Sequence, residues 1–210
     1  LAATFPSLQP GMQAAEYLLQ QIFAPQGLQV IDGHAARQGA TGNADLREIV
    51  TADGSRGAVV LAFFAGRNRA IRRRVDDTTK LLRDQGALDI ASLDGSEGTG
   101  LLETLTDLGW SGETIPYLGL KLSLPPSAVV KLINQLTDPA ITSDGQNPID
   151  LEPLSLGVVA DPGFGLVRLL WWARGANDGG SPPDGRIAAT ISRVRDLSRR
   201  LGGSTVVEHC

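Results

Sequence analysis

Leu154-Ser155-Leu156-Gly157-Val158-Val159-Ala160, Asp161-Pro162-Gly163-Phe164-Gly165 and Leu166-Val167-Arg168-Leu169-Leu170-Trp171-Trp172-Ala173 run consecutively through the chain. Two apolar runs of strand length flank five residues rich in turn formers, which predicts a compact β-hairpin. On either side of it the strands are linked by helices instead. Upstream, Ala58 to Ala65 is a continuous apolar run of strand length. A helix from Asn68 to Gln85 follows, with Ile71, Val75, Thr78, Leu81 and Leu82 on one face and Gly86 at its end. Leu88 to Leu93 reads as a strand, and Ser96 to Leu108 as a helix with Glu97 at its favourably charged N-terminus. Ile115 to Leu124 alternates, placing Leu118, Leu120, Leu122 and Leu124 on one face and Lys121 on the other. Pro125-Pro126-Ser127 opens a helix from Ala128 to Leu136. Downstream, Asp184 or Gly185 to Leu201 is an amphipathic helix with Ile187, Ile191, Val194, Leu197 and Leu201 inward, ended by Gly202-Gly203 and followed by a strand over Ser204 to Glu208. A hairpin set among helix-linked strands predicts an α+β fold: a mainly antiparallel, ferredoxin-like sheet with helices on one face, built as two such units sharing one sheet.

The first 56 residues are less regular. A helix is predicted from Gln9 or Pro10 to Phe23 and a short strand at Leu28 to Ile31. Gly33 to Arg56 is small and polar, with a short helix expected around Asp45 to Val50, and reads as a mobile connecting loop. The expected organisation is therefore an N-terminal segment over 1–56 and a ferredoxin-like domain over 57–210.

Composition narrows the function classes. The 210 residues are 42% hydrophobic and 20% charged, as in an ordinary globular protein. Net charge is −4, which gives no electrostatic reason to track a phosphate backbone, so nucleic acid is not expected as a partner. The longest apolar runs fall far short of the roughly 20 residues that span a bilayer, so no transmembrane segment is expected. Cys210 is the single cysteine, which rules out an internal disulfide and suits a reducing, cytoplasmic setting. Leu1 in place of Met, and an end within the last strand, suggest a piece of a longer protein.

Three segments resemble the C-terminal half of FAD-linked oxidases of the vanillyl-alcohol-oxidase type, in the glycolate oxidase and D-lactate dehydrogenase branch. Ala3-Thr4-Phe5-Pro6-Ser7 through Ala24-Pro25-Gln26-Gly27-Leu28-Gln29-Val30-Ile31-Asp32 is similar to the family's helix-to-strand entry into the cap. Leu120-Lys121-Leu122-Ser123-Leu124-Pro125-Pro126-Ser127 resembles its strand running into a "PPS" helix start, and Gly202-Gly203-Ser204-Thr205-Val206-Val207-Glu208-His209 its "GG…EHG" strand beside the active site. The resemblance implies a cap domain closing over FAD held mainly by a domain upstream of Leu1. It also implies hydride transfer from a small 2-hydroxy acid such as glycolate or D-lactate. His209 is then the candidate base, and Arg168 and Glu208 the candidate substrate-binding residues. The isolated fragment is expected to be inactive.

The departures shape this expectation. Where the metal-dependent branch has "HxGDGNLH", this chain has Asp161-Pro162-Gly163-Phe164-Gly165-Leu166-Val167-Arg168. Arg168 has no lone pair to give a cation, so no family-type metal site is expected. The same hairpin is closer to the small FAD-binding subunit of glycolate oxidase. Gly95-Ser96-Glu97-Gly98-Thr99-Gly100 lacks the order of a dinucleotide fingerprint and reads as a turn and cap. Two further readings remain open. One is a non-catalytic accessory subunit that assembles with other glycolate oxidase subunits, and the other an unrelated ferredoxin-like binding module. Among other polar residues, His34 reads as solvated in its loop and the run Arg67 to Arg74 as a solvated helix face. Arg168 has solvent, Asp161 or Glu152 as alternative surroundings. Trp171 and Trp172 must point to opposite sides of their strand, with one in the core.

Overall fold

A computed structural model describes residues 1–39, 57–93, 95, 98–101, 115–137, 149, 151, 154–173 and 184–209. In chain order its elements are β1 (Ala2–Phe5), α1 (Leu8–Leu19), β2 (Gly27–Asp32), α2 (Gly33–Gly39), β3 (Ala58–Phe63), α3 (Asn68–Asp84), β4 (Asp89–Ala91), β5 (Leu118–Ser123), α4 (Pro126–Thr137), β6 (Leu154–Asp161), β7 (Leu166–Ala173), α5 (Asp184–Arg200) and β8 (Ser204–His209). The eight strands form one sheet in the order β4-β1-β3-β2-β6-β7-β5-β8. Every strand pairing is antiparallel.

The order resolves into two copies of one motif. β1-α1-β2-β3-α3-β4 supplies one half and β5-α4-β6-β7-α5-β8 the other, and the strand order of the second mirrors that of the first. Each half is a ferredoxin-like unit, as the hairpin-plus-crossover pattern predicts. The two second strands, β2 and β6, join the halves through Val30 opposite Ala160 and Ile31 opposite Val159. β1 and β2 thus belong to the same sheet as the strands beyond residue 57.

One face of the sheet carries the main core. Ala3, Phe5, Leu28, Val30, Leu120, Leu122, Leu169 and Trp171 of the strands meet Met12 and Leu18 of α1, Leu82 of α3, Leu132 and Ile133 of α4, and Val194 of α5. In α4 the buried Ala128, Val129, Leu132, Ile133 and Leu136 recur at helical spacing, so one stripe of the helix is driven onto the sheet. In α5 the inward stripe runs Ile187, Thr190, Val194 and Ser198, alternating apolar and polar, while Ile191, Leu197 and Leu201 pack at its margin. Trp171 is fully buried on this face, and its indole N–H donates to the Ile149 carbonyl at 3.1 Å, so its one polar atom is satisfied.

The described residues cover only part of the opposite face. Ile31, Val59, Val159, Leu170 and Trp172 form a second, smaller apolar cluster with Ala35 and Ala36 of α2 and with Leu101. α2 is thus a helix on the second face, beyond the helices-on-one-face expectation. It exists because Asp32 caps it, its carboxylate accepting from the Ala35 N–H at 2.7 Å, and because two alanines let it lie close to the strands. The approach is so close that a Cβ on Gly157 of β6 would fall 2.6 Å from the Trp172 ring and 2.9 Å from the Ala35 Cβ. Gly157→Ala is expected to lift α2 from the sheet and cost about 2 kcal/mol of stability by overpacking, measured as a shift in denaturant midpoint with unchanged slope. An unchanged midpoint would show that α2 is not seated there.

Element limits agree with the sequence reading to within a few residues for the helices of the main face and for both strands of the hairpin. β1 was not anticipated. The helix expected at Asp45 to Val50 lies outside the described residues. Of the helix expected at Ser96 to Leu108, residues 98–101 are described and helical, and most of the rest lies outside.

Candidate active-site face

Lys121 and Arg168 face each other directly across the β5–β7 ladder. Alternation puts Leu120 and Leu122, and Val167 and Leu169, into the main core, which turns Lys121 and Arg168 to the opposite face. There, among the described residues, no helix covers β5 or β8, since α2 and Leu101 lie over the middle and far half of the sheet. Two cations directly opposite each other repel. Glu208 of the edge strand β8 meets both of them, its Oε1 4.0 Å from Lys121 Nζ and its Oε2 3.8 Å from Arg168 Nε. The three side chains are partly sheltered, at 39% exposure for Lys121, 22% for Arg168 and 13% for Glu208.

A register shift in β8 assembles the rest. Val206 lies opposite Lys121 and Val207 opposite Leu120, but His209, not Glu208, lies opposite Gly119. Glu208 is the extra residue of a β-bulge, which breaks the alternation and re-aims the side chain after it. In an unbroken strand Glu208 and His209 would point to opposite faces. Here Glu208 reaches the two cations, and the Cβ of His209 lies 3.6 Å from where a Cβ on Gly119 would stand, beside Leu170. The bulge therefore puts Glu208 and His209 on the same face as Arg168 and Lys121, over the part of it that no described helix covers.

The remaining residues singled out from sequence fall into place around this cluster. Arg168 neither stands alone in solvent nor reaches for Asp161: it meets Glu208 two strands away. Asp161 serves the hairpin turn instead, its Oδ1 accepting from the Phe164 N–H at 3.1 Å, and burial pushes its carboxyl above the usual range against the pull of that bond. His34 is not in a solvated loop. It opens α2, is partly buried, and packs edge-on against Trp172 with ring centroids 5.6 Å apart and planes at 61°. Trp172 is itself buried on this second face, so neither tryptophan is exposed. Lys121 was legible only as an outward strand residue, because its pairing with Arg168 depends on the β5–β7 register.

In the glycine cluster, of which residues 96 and 97 lie outside the described residues, the Thr99 hydroxyl donates to the Gly95 carbonyl at 3.1 Å. No group of three or more His, Cys, Asp or Glu gathers as a metal site among the described residues, and none of their helices is long and apolar enough to cross a membrane.

No family model and no curated protein sequence matches the chain. Solved structures do. Alkyldihydroxyacetonephosphate synthase, in a P1 crystal form, aligns with a TM-score of 0.60 at 12% identity over 97% of this chain, and in a P212121 form with a TM-score of 0.58 at 10% identity over 97%. 4-Ethylphenol oxidase from Gulosibacter chungangensis, in complex with isoeugenol, aligns with a TM-score of 0.46 at 14% identity over 95% of the chain. The chain spans 39% of the length of the synthase structures. Two ferredoxin-like units in one antiparallel sheet, matched along nearly the whole chain, give this protein the same fold as the matched part of alkyldihydroxyacetonephosphate synthase.

Proposed function

We propose that this chain is the cap of an FAD-dependent 2-hydroxy-acid oxidase or dehydrogenase, and that the face of β5, β7 and β8 that carries Lys121, Arg168 and Glu208 closes over the substrate. The observation that carries the reading is the bulge at Glu208, which sets His209 on the same face as two cations and a carboxylate. In this reading the Arg168 guanidinium, backed by Lys121, binds the substrate carboxylate, since a guanidinium matches a carboxylate with two donors at once. Glu208 holds the two cations at fixed positions when no substrate is present. The His209 imidazole takes the proton from the substrate hydroxyl. FAD, gripped by a separate domain, supplies the acceptor for the hydride from the α carbon.

The test is the absorbance of the full-length protein. A yellow preparation that bleaches anaerobically with glycolate or D-lactate is expected, and a colourless one overturns the reading. Arg168→Met is expected to lower kcat/KM for the hydroxy acid about thirtyfold, the effect of losing a charged hydrogen-bonded contact of about 2 kcal/mol. Equal loss with an uncharged alcohol would mean that Arg168 supports the sheet and does not bind the carboxylate.

One observation favours a second reading, a non-catalytic accessory subunit of a glycolate dehydrogenase. Both oxygens of Glu208 already face cations, and the hairpin has Arg168 in place of a histidine. In that case flavin binds but is not reduced by any 2-hydroxy acid.

A further inference from the structure

The first half of α3 breaks a local rule. Arg67, Arg69, Arg72, Arg73 and Arg74 fall within eight residues with no acid among them, and the first turn of the helix holds no carboxylate. A helix N-terminus carries partial positive charge, so cations crowded there repel both it and one another. A single ion pair among the described residues touches this run, Arg73 to Asp77 at 3.8 Å, with the Arg73 side chain 86% exposed. The same stretch is scarcely packed: the first buried residue of α3 is Thr78, and Ala70 is exposed. Local violations of this kind are found where a surface serves a partner.

A groove of about 820 Å3 lies between this stretch and the end of α1. Its apolar lining includes Ile22 at 104% exposure, Tyr17 at 47% and the buried Leu81, and Arg73, Arg74 and Lys80 stand along its α3 wall. Fully exposed isoleucine beside exposed tyrosine is apolar surface left uncovered. The groove lies on the helix-covered side of the sheet, away from Arg168 and His209, so it serves neither reading of the active-site face.

We propose that the groove between α1 and α3 docks an acidic helix with one apolar face, carried by a partner protein. Charge complementarity selects the occupant: carboxylates on its polar side pair with Arg74, Lys80 and the exposed Arg73, while leucine-like residues at i, i+3, i+4 and i+7 cover Ile22, Tyr17 and Leu81. A phospholipid surface fits less well. The chain carries −4 overall, so a broad anionic plane reaching beyond the groove meets repulsion that a narrow helix seated along Arg73, Arg74 and Lys80 avoids.

The probe is a fluorescently labelled synthetic peptide of about 15 residues, with leucines at helical spacing and glutamates elsewhere, titrated with the full chain and followed by anisotropy. Arg73→Glu with Arg74→Glu is expected to weaken binding at least about tenfold and Ile22→Ser about threefold, with circular dichroism unchanged, and binding should fall from about 50 to about 200 mM salt. A scrambled peptide of the same composition binding equally well overturns the proposal, since charge alone would then suffice. Stronger, Arg73- and Arg74-dependent binding to phosphatidylserine vesicles overturns it in favour of a membrane. Arg73- and Arg74-dependent self-association in sedimentation overturns it in favour of a second copy of the chain.

Discussion

Replacing Gly165 by alanine is expected to destabilise the protein by about 4 kcal/mol, a loss of about 12 °C in Tm for a chain of this size. Two effects combine at this one position. Gly165 closes the hairpin turn with φ +70°, a left-handed conformation that L side chains rarely adopt. Its carbonyl also accepts from the Leu124 N–H at 2.8 Å, where β5 leaves the sheet for α4. A Cβ here would run into the Leu124 carbonyl oxygen, which is backbone and cannot swing aside. Asparagine is the usual substitute where only the left-handed conformation matters, yet Gly165→Asn should be nearly as damaging, because the collision remains. Gly163→Ala in the same turn is the control. Its Cβ would sit 3.5 Å from Asp161 Oδ1 and Leu19 Cδ2, ordinary contact distances, so little change is expected. Equal stability of the Gly165 and Gly163 variants would refute this account of the turn. The consequence reaches the active-site face: the Gly165–Leu124 contact locks the start of β7 to the end of β5, and that register sets Arg168 opposite Lys121.

What was legible in the sequence follows from how each feature is encoded. The hairpin and the helices of the main face announce themselves by period and by turn residues, so their placement needed no tertiary information. β1 is four residues, Ala2-Ala3-Thr4-Phe5, buried on both faces, so it shows no alternation to read. α2 begins and ends in glycine and has little helix propensity of its own. It is held by the Asp32 cap and by the contact of Ala35 with Gly157 and Trp172, partners more than a hundred residues away. The candidate site divides in the same way. Arg168 stands out as a charge in an apolar strand, and Glu208 and His209 were singled out by their family-like run. The bulge that brings them to one face is a property of the β5–β8 register, and no local pattern in Ser204 to His209 marks it.

Between about pH 4 and pH 7 the stability difference between the protein and its Asp32→Asn variant is expected to change by about 2 kcal/mol, moving in the variant's favour as pH rises. Asp32 ends β2, and its carboxyl receives backbone N–H groups from Ala35, Val158 and His34, which by themselves would favour the charged form. Burial acts against them and wins, pushing the carboxyl up to about 6 from an ordinary 3.8. The sign follows from proton binding. The folded state holds its proton up to about pH 6, whereas the unfolded chain releases it near 3.8. Protonation therefore supports the fold fully below the lower value, and this support is lost as pH rises through the upper one. Asparagine keeps an oxygen for the Ala35 N–H and never ionises, so its curve lacks this component. Urea unfolding of both proteins across the range measures the difference, in which the other titrating groups cancel. Parallel curves would mean that Asp32 is solvated. A difference moving the opposite way would mean that the three N–H donors outweigh burial, which would make the charged carboxylate the form that holds α2, and with it His34, against Trp172.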